Sequence, residues 1–168
     1  MKINLDSPVI VFLTTVADFM ILNILFILCC APVITIGPAV SALYTITMRE
    51  ARHEGGYIFK PFFKAFKNNF KQAFLLSILY LIIGAIFVFG VKSWIEKPEF
   101  STVNQVILVI TGVFAVIFIF SLFYVFALIA RFDNTIFKTV KNAVMLAVFN
   151  LRETFLLTLI HVIVIVLM

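Results

Sequence analysis

Apolar runs alternate along this chain with short basic stretches, and the length of each run limits what it can be. Ser7 followed by Pro8 reads as an N-cap with proline at the first helical position, opening an apolar run that continues to Ala31, where Pro32 interrupts it. That run (8–31) has 24 residues, where about 20 suffice to cross a bilayer as a helix. Residues 73–91 give 19 uncharged positions, closed by Lys92, Trp94, Lys97 and Pro98, an interfacial ending with an aromatic anchor. Residues 103–130 run uncharged for 28 positions, which implies tilt or an extension beyond the hydrocarbon, and Arg131 and Asp133 end them. From Thr154 the chain is apolar again for 15 residues to Met168 (154–168), which reads as a fourth span cut short. The expected fold is all-α: one integral membrane domain over 1–168, a polytopic transmembrane helix bundle with amphipathic cytoplasmic interfacial helices.

Between the first two spans, Pro32-Val33-Ile34-Thr35-Ile36-Gly37-Pro38 cannot be regular helix throughout, and a shorter apolar helix follows from about Ala39 to Arg52, ended by Gly55-Gly56. Positions 19–48 hold no charge at all. This is where the topology admits two solutions, according to whether residues 38–52 cross the membrane.

Composition agrees with these spans. With 64% hydrophobic residues, 12% charged residues and a mean hydropathy of +1.19, the chain lacks the polar surface to cover a soluble globule. The net charge of +5 comes from basic residues placed between apolar runs, which points to anionic lipid headgroups rather than nucleic acid. Ten of the thirteen Lys and Arg lie in two connections: Arg49, Arg52, Lys60, Lys64, Lys67 and Lys71, then Arg131, Lys138, Lys141 and Arg152. Lys2, Lys92 and Lys97 remain for the other side. The positive-inside rule then makes the basic loops cytoplasmic and the N-terminus external; were residues 38–52 to cross as well, the N-terminus would move inside and the chain would gain a span. No cleavable signal peptide is evident, so the first span is expected to direct membrane insertion.

The two basic connections resemble each other. Ile58-Phe59-Lys60 is matched by Ile136-Phe137-Lys138, and Asn69-Phe70-Lys71-Gln72-Ala73-Phe74-Leu75-Leu76-Ser77 by Asn150-Leu151-Arg152-Glu153-Thr154-Phe155-Leu156-Leu157-Thr158. The alignment of 58–79 with 136–160 needs gaps. It describes either a parallel repeat of span, amphipathic segment and span, or two basic, Phe-rich segments entering Leu-rich helices in similar ways.

Lys60, Lys64, Lys67 and Lys71 recur at steps of 4, 3 and 4, and Phe59, Phe63, Phe66 and Phe70 follow the same spacing, so a helix sets them on adjoining stripes. Phenylalanines at the acyl boundary with lysines reaching phosphate describe an interfacial helix that contacts anionic lipid; docking of a soluble partner is the alternative. Asp18 lies near the middle of the first run, where a carboxylate costs about 2.5–3.5 kcal/mol on insertion scales. It is either a functional group with Asn23 and Thr35 as further members of an intramembrane polar site, or an interfacial residue at the edge of an embedded stretch that starts at Phe19. Gly84 with Ser77 and Tyr80, and Thr111 with Gly112 and Ala115, are small faces where helices can approach, within the chain or in a homo-oligomer.

Catalytic chemistry finds little to use. Cys29 and Cys30 are adjacent and poorly placed to bridge each other, and serve as apolar filler. His53-Glu54 lacks the second histidine of a zinc-protease helix, His161 is placed for an interhelical contact, and no nucleophile elbow or phosphate loop occurs. No enzyme, metal site or cofactor is expected.

Asp18 through Asn23, Pro32-Val33-Ile34-Thr35-Ile36-Gly37-Pro38 leading to Ala42-Leu43-Tyr44, then Arg49, Gly56 and the stretch Phe59 to Lys71 resemble the YesL-like family of bacterial membrane proteins. Pro-x-x-Thr-x-Gly-Pro followed by Ala-Leu-Tyr is the most specific part. The resemblance implies a small inner-membrane protein of about five spans with no established activity, associated with carbohydrate uptake and utilisation. A carbohydrate transporter subunit is the partner it suggests, and a small secondary transporter using the broken helix is the competing reading.

Overall fold

The computed structural model describes residues 8–52, 54, 56–95 and 102–167, with side chains described over 10–52, 54, 56–95 and 102–159. The Ser7 cap, Lys2, His53, Gly55, Lys97, Pro98 and the side chain of His161 lie outside them. Six α-helices follow in order: α1 (Pro8–Cys30), α2 (Ile36–Ala51), α3 (Phe59–Ile95), α4 (Thr102–Arg131), α5 (Ile136–Phe149) and α6 (Leu151–Leu167). One 3₁₀ turn, Val33–Thr35, precedes α2. The described residues contain no strand, and the all-α fold is as the run lengths require. Three helices, over Ile10–Cys30, Phe59–Ile95 and Thr102–Arg131, are long and apolar enough to span a membrane.

The chain divides into two units between Phe74 and Leu75. In the first, α1 and α2 pack antiparallel. Thr15, Asp18, Leu22, Leu25 and Cys29, at steps of 3, 4, 3 and 4, form a stripe of less exposed positions down α1, which Phe26 and Cys30 widen toward its end. Gly37, Pro38, Ala39 and Ala42 keep the facing side of α2 thin and are fully buried. Ile58, Phe62 and Ala65 complete a core with Leu22, Leu25, Ala42 and Ile46. The outer side of α1, from Val11 and Phe12 to Ile27 and Leu28, is exposed and apolar, as a lipid-facing surface requires.

The break between α1 and α2 follows from Pro32, whose missing N–H and ring cannot continue α1. The carbonyls left over at the end of α1 are recovered locally: the Thr35 hydroxyl donates to the carbonyl oxygens of Cys29 and of Pro32 (2.7 Å), and the Ala31 N–H to Leu28. In an environment without water this turn is what lets the chain reverse.

Residues 59–71 and 73–91, distinct in composition, form one helix. No Gly or Pro interrupts the stretch from Phe62 to Gly84, so nothing in the sequence stops α3 where its character changes from basic to apolar.

In the second unit, α4 and α5 are the closest pair, with Thr139, Ala143 and Ala147 buried as a small-residue stripe on α5. A bend of 89° at Asn150 separates α5 from α6. The aligned segment 58–79 contains no such bend, so the two similar sequences adopt different shapes: straight through Asn69 in α3, broken at Asn150.

Candidate functional site

Two places in the first unit gather the residues singled out by sequence. The first is the exposed side of α3. Lys60, Lys64, Lys67 and Lys71 are all exposed, and the phenylalanines beside them touch in sequence: Phe59 and Phe63 at 5.0 Å between ring centroids, Phe66 and Phe70 at 5.6 Å, Phe70 and Phe74 at 5.9 Å and nearly parallel. Phe63, Phe66 and Phe70 with Lys67 and Lys71 line a shallow groove. Cationic heads therefore border two groups of touching phenylalanines along one side of the helix, which suits a phosphate layer above an acyl boundary. On its opposite side α3 is tied inward by the Asn69 side-chain amide, which donates to the Ser41 hydroxyl at 3.0 Å.

The second place is a groove of about 620 Å³ between α1 and α2. Thr14, Thr15 and Asp18 line it from α1, and Thr47, Glu50 and Gly56 from α2 and the turn that follows. Both threonine hydroxyls on α1 are satisfied within their own helix, donating to Ile10, Val11 or both. Arg49 donates from Nη2 to the Tyr57 carbonyl at 3.3 Å and lies 3.8 Å from Glu50 Oε1. Arg49 Nε and Glu50 Oε1 are buried with no hydrogen-bond partner. The rim turns at Gly56, whose φ of +144° is a conformation that only glycine adopts without strain.

The structure does not assemble Asp18, Asn23 and Thr35 into one site. Asp18 is half-buried in the groove; Asn23 is exposed, off the stripe that faces α2; Thr35 lies at the far end of the hairpin with its hydroxyl engaged in the turn. What sequence reasoning missed is Glu50, brought to Asp18 by the reversal of the chain. The signal available was the charge-free run 19–48, whose two flanks are Asp18 and Arg49-Glu50.

Polar groups in the second unit pair across helices. The hydroxyls of Tyr80 and Ser121 lie 3.0 Å apart, with the Tyr80 ring stacked on Phe118 at 5.0 Å, and those of Tyr124 and Thr154 lie 2.8 Å apart. Among the described residues no group of three His, Cys, Asp or Glu side chains is placed to hold a metal ion.

No curated protein and no solved structure matches the chain. A family model does match, over the second half of α1, the 3₁₀ turn, α2 and most of α3: residues 19–91 match the family described as Protein of unknown function, DUF624, with which the YesL-like resemblance of the Pro-x-x-Thr-x-Gly-Pro turn is consistent.

Proposed function

We propose that this protein is an accessory component of the bacterial cell membrane, working beside a carbohydrate importer through helix contacts in the bilayer and through its basic cytoplasmic face, and performing no chemistry itself. The observation that carries the accessory reading is how the polar side chains are used. Thr35 closes a turn, Asn69 bonds Ser41, Tyr80 bonds Ser121 and Tyr124 bonds Thr154. These groups hold helices together instead of lining a passage. The carbohydrate association rests on the family resemblance alone. Anionic lipid at Lys60, Lys64, Lys67 and Lys71 belongs to the same proposal, supported by their exposure beside the phenylalanine strip.

Orientation is part of this reading. The charge bias places both basic connections in the cytoplasm. The antiparallel return of α2 brings Glu50 into the groove with Asp18, so the two flanks of the charge-free run lie at one level of the hairpin. That supports an N-terminus on the cytoplasmic side, with α1 and α2 entering and leaving on the same side, in place of the external N-terminus expected from the charge count.

The competing reading, a small transporter, draws on the Asp18 groove and on the buried Arg49 Nε and Glu50 Oε1 that make no hydrogen bond. Reconstitution of the protein alone in liposomes separates the two. Sugar uptake that is lost in Asp18→Asn overturns the accessory role; no flux alone, with co-purification of an importer subunit from cells, supports it.

A further inference from the structure

In the second unit, α3 and α4 enclose a groove of about 510 Å³ whose lining is apolar except at one end. Its floor is made by small residues: Gly84, where even a Cβ would sit 3.6 Å from the Phe118 ring, and Ala115 on α4. Phe87 and Phe118, 5.5 Å apart between ring centroids, wall it on one side. Along α3 it runs from Gly84 to Ile95, and at the helical rise this is roughly 16 Å, comparable with half of a hydrocarbon core about 30 Å thick. Lys92 lines the end of the groove where α3 leaves its apolar stretch, and Trp94, the chain's single tryptophan, lies two residues further on.

We infer that this groove binds one acyl chain of an anionic phospholipid, with Lys92 at the lipid phosphate. A groove on a lipid-facing surface cannot stay empty, because its lining would lose dispersion contacts, and the solvent available to fill it is acyl chain. The length, the apolar lining and the small floor suit a single chain lying along α3. The cation at the mouth adds headgroup selection: one basic side chain near an anionic group contributes on the order of 1 kcal/mol, which is roughly a five-fold preference over a zwitterionic lipid. Lys92 belongs to neither basic connection, so this site is separate from the Lys60–Lys71 face.

Trp94, one position before the groove-lining Ile95, is the reporter at the mouth end of the groove. The full chain is reconstituted in vesicles of phosphatidylcholine doped with phosphatidylglycerol brominated on its acyl chains, and in the converse mixture with brominated phosphatidylcholine, and tryptophan quenching gives the relative affinity. Phosphatidylglycerol is expected to be preferred roughly five-fold. Lys92→Gln should bring the ratio to about one and Lys92→Arg should restore it. Gly84→Leu, which fills the floor, should lower quenching by both lipids. Equal quenching by the two lipids in the native protein, an unchanged ratio in Lys92→Gln, or undiminished quenching in a Gly84→Leu protein that keeps its native helicity each overturns the proposal.

Discussion

Asp18 and Glu50 stand 32 positions apart in the chain and line the same groove, one from each strand of the α1–α2 hairpin. Asp18 borders the charge-free stretch 19–48 on one flank and Glu50 follows Arg49 on the other, so the hairpin carries its first carboxylates at matching depth. A hairpin embedded from Phe19 to Met48 leaves both at the interface, and its helical arms, 19–30 and 36–48, rise only about 18–20 Å against a core about 30 Å thick, so the chain turns back to the side it entered from, whereas a carboxylate drawn into hydrocarbon would cost about 2.5–3.5 kcal/mol. Topology reporters check this arrangement. Tags at the N-terminus, near residue 55 and near residue 133 should be protected in intact spheroplasts, and one near residue 97 should be accessible. An accessible N-terminal tag, with the tag near residue 55 still protected, would refute the same-side hairpin.

The turn that ends this hairpin depends on Gly56. Its φ of +144° puts any side chain into a disfavoured region, although the nearest atom to an added Cβ, Arg49 Nη2 at 3.7 Å, leaves room for one. Gly56→Ala should therefore cost about 1–2 kcal/mol through backbone strain and not through crowding. A lowered thermal midpoint in detergent, with unchanged helix content before the transition, is the expected result.

Asn69 and Ser41 make a hydrogen bond that can be isolated energetically. Asn69→Ala and Ser41→Ala each leave the other group without this partner, so single and double variants should show a coupling of about 0.5–1.5 kcal/mol, in the range of interhelical hydrogen bonds within membranes. A double-mutant cycle in the same detergent reads it, and additive losses would show that the bond contributes nothing to holding α3 on α2. Tyr80→Phe with Ser121→Ala forms the parallel cycle for the second unit.

Residues whose position follows from one helix alone were legible in the sequence. The 4-3-4 spacing of Lys60, Lys64, Lys67 and Lys71 is a statement about helical period, and all four emerge exposed beside their phenylalanines. Relations between helices were not legible. In the sequence Thr35 is a candidate member of an intramembrane polar site, and only the folded turn shows it closing over Cys29 and Pro32. The same limit applies to Glu50, which no local pattern connects to Asp18, and to Ser121, a lone hydroxyl in a run of phenylalanines and isoleucines. A buried polar group in such a run must find a partner, but its neighbourhood in sequence does not say which. The bend at Asn150 was hidden for a different reason: asparagine is tolerated both inside α3 at Asn69 and at a helix end, so the residue type does not decide between them.

The lysine row makes a last prediction that distinguishes anchoring from packing. If Lys60, Lys64, Lys67 and Lys71 hold their segment on the cytoplasmic side through anionic lipid, the four together contribute on the order of 4 kcal/mol to orientation. Replacing all four by Gln removes that bias while leaving the Phe62 side of α3, and so the core it shares with Leu22 and Ile46, untouched. Mixed orientation should follow, read as partial accessibility of a tag near residue 55, while folding in detergent stays near native. Restoring any two lysines should recover most of the native orientation, because the effect depends on summed charge and not on a particular contact. Unmixed orientation in the quadruple variant would mean that Arg49, Arg52 and the second basic connection suffice, and that the row serves a partner other than lipid.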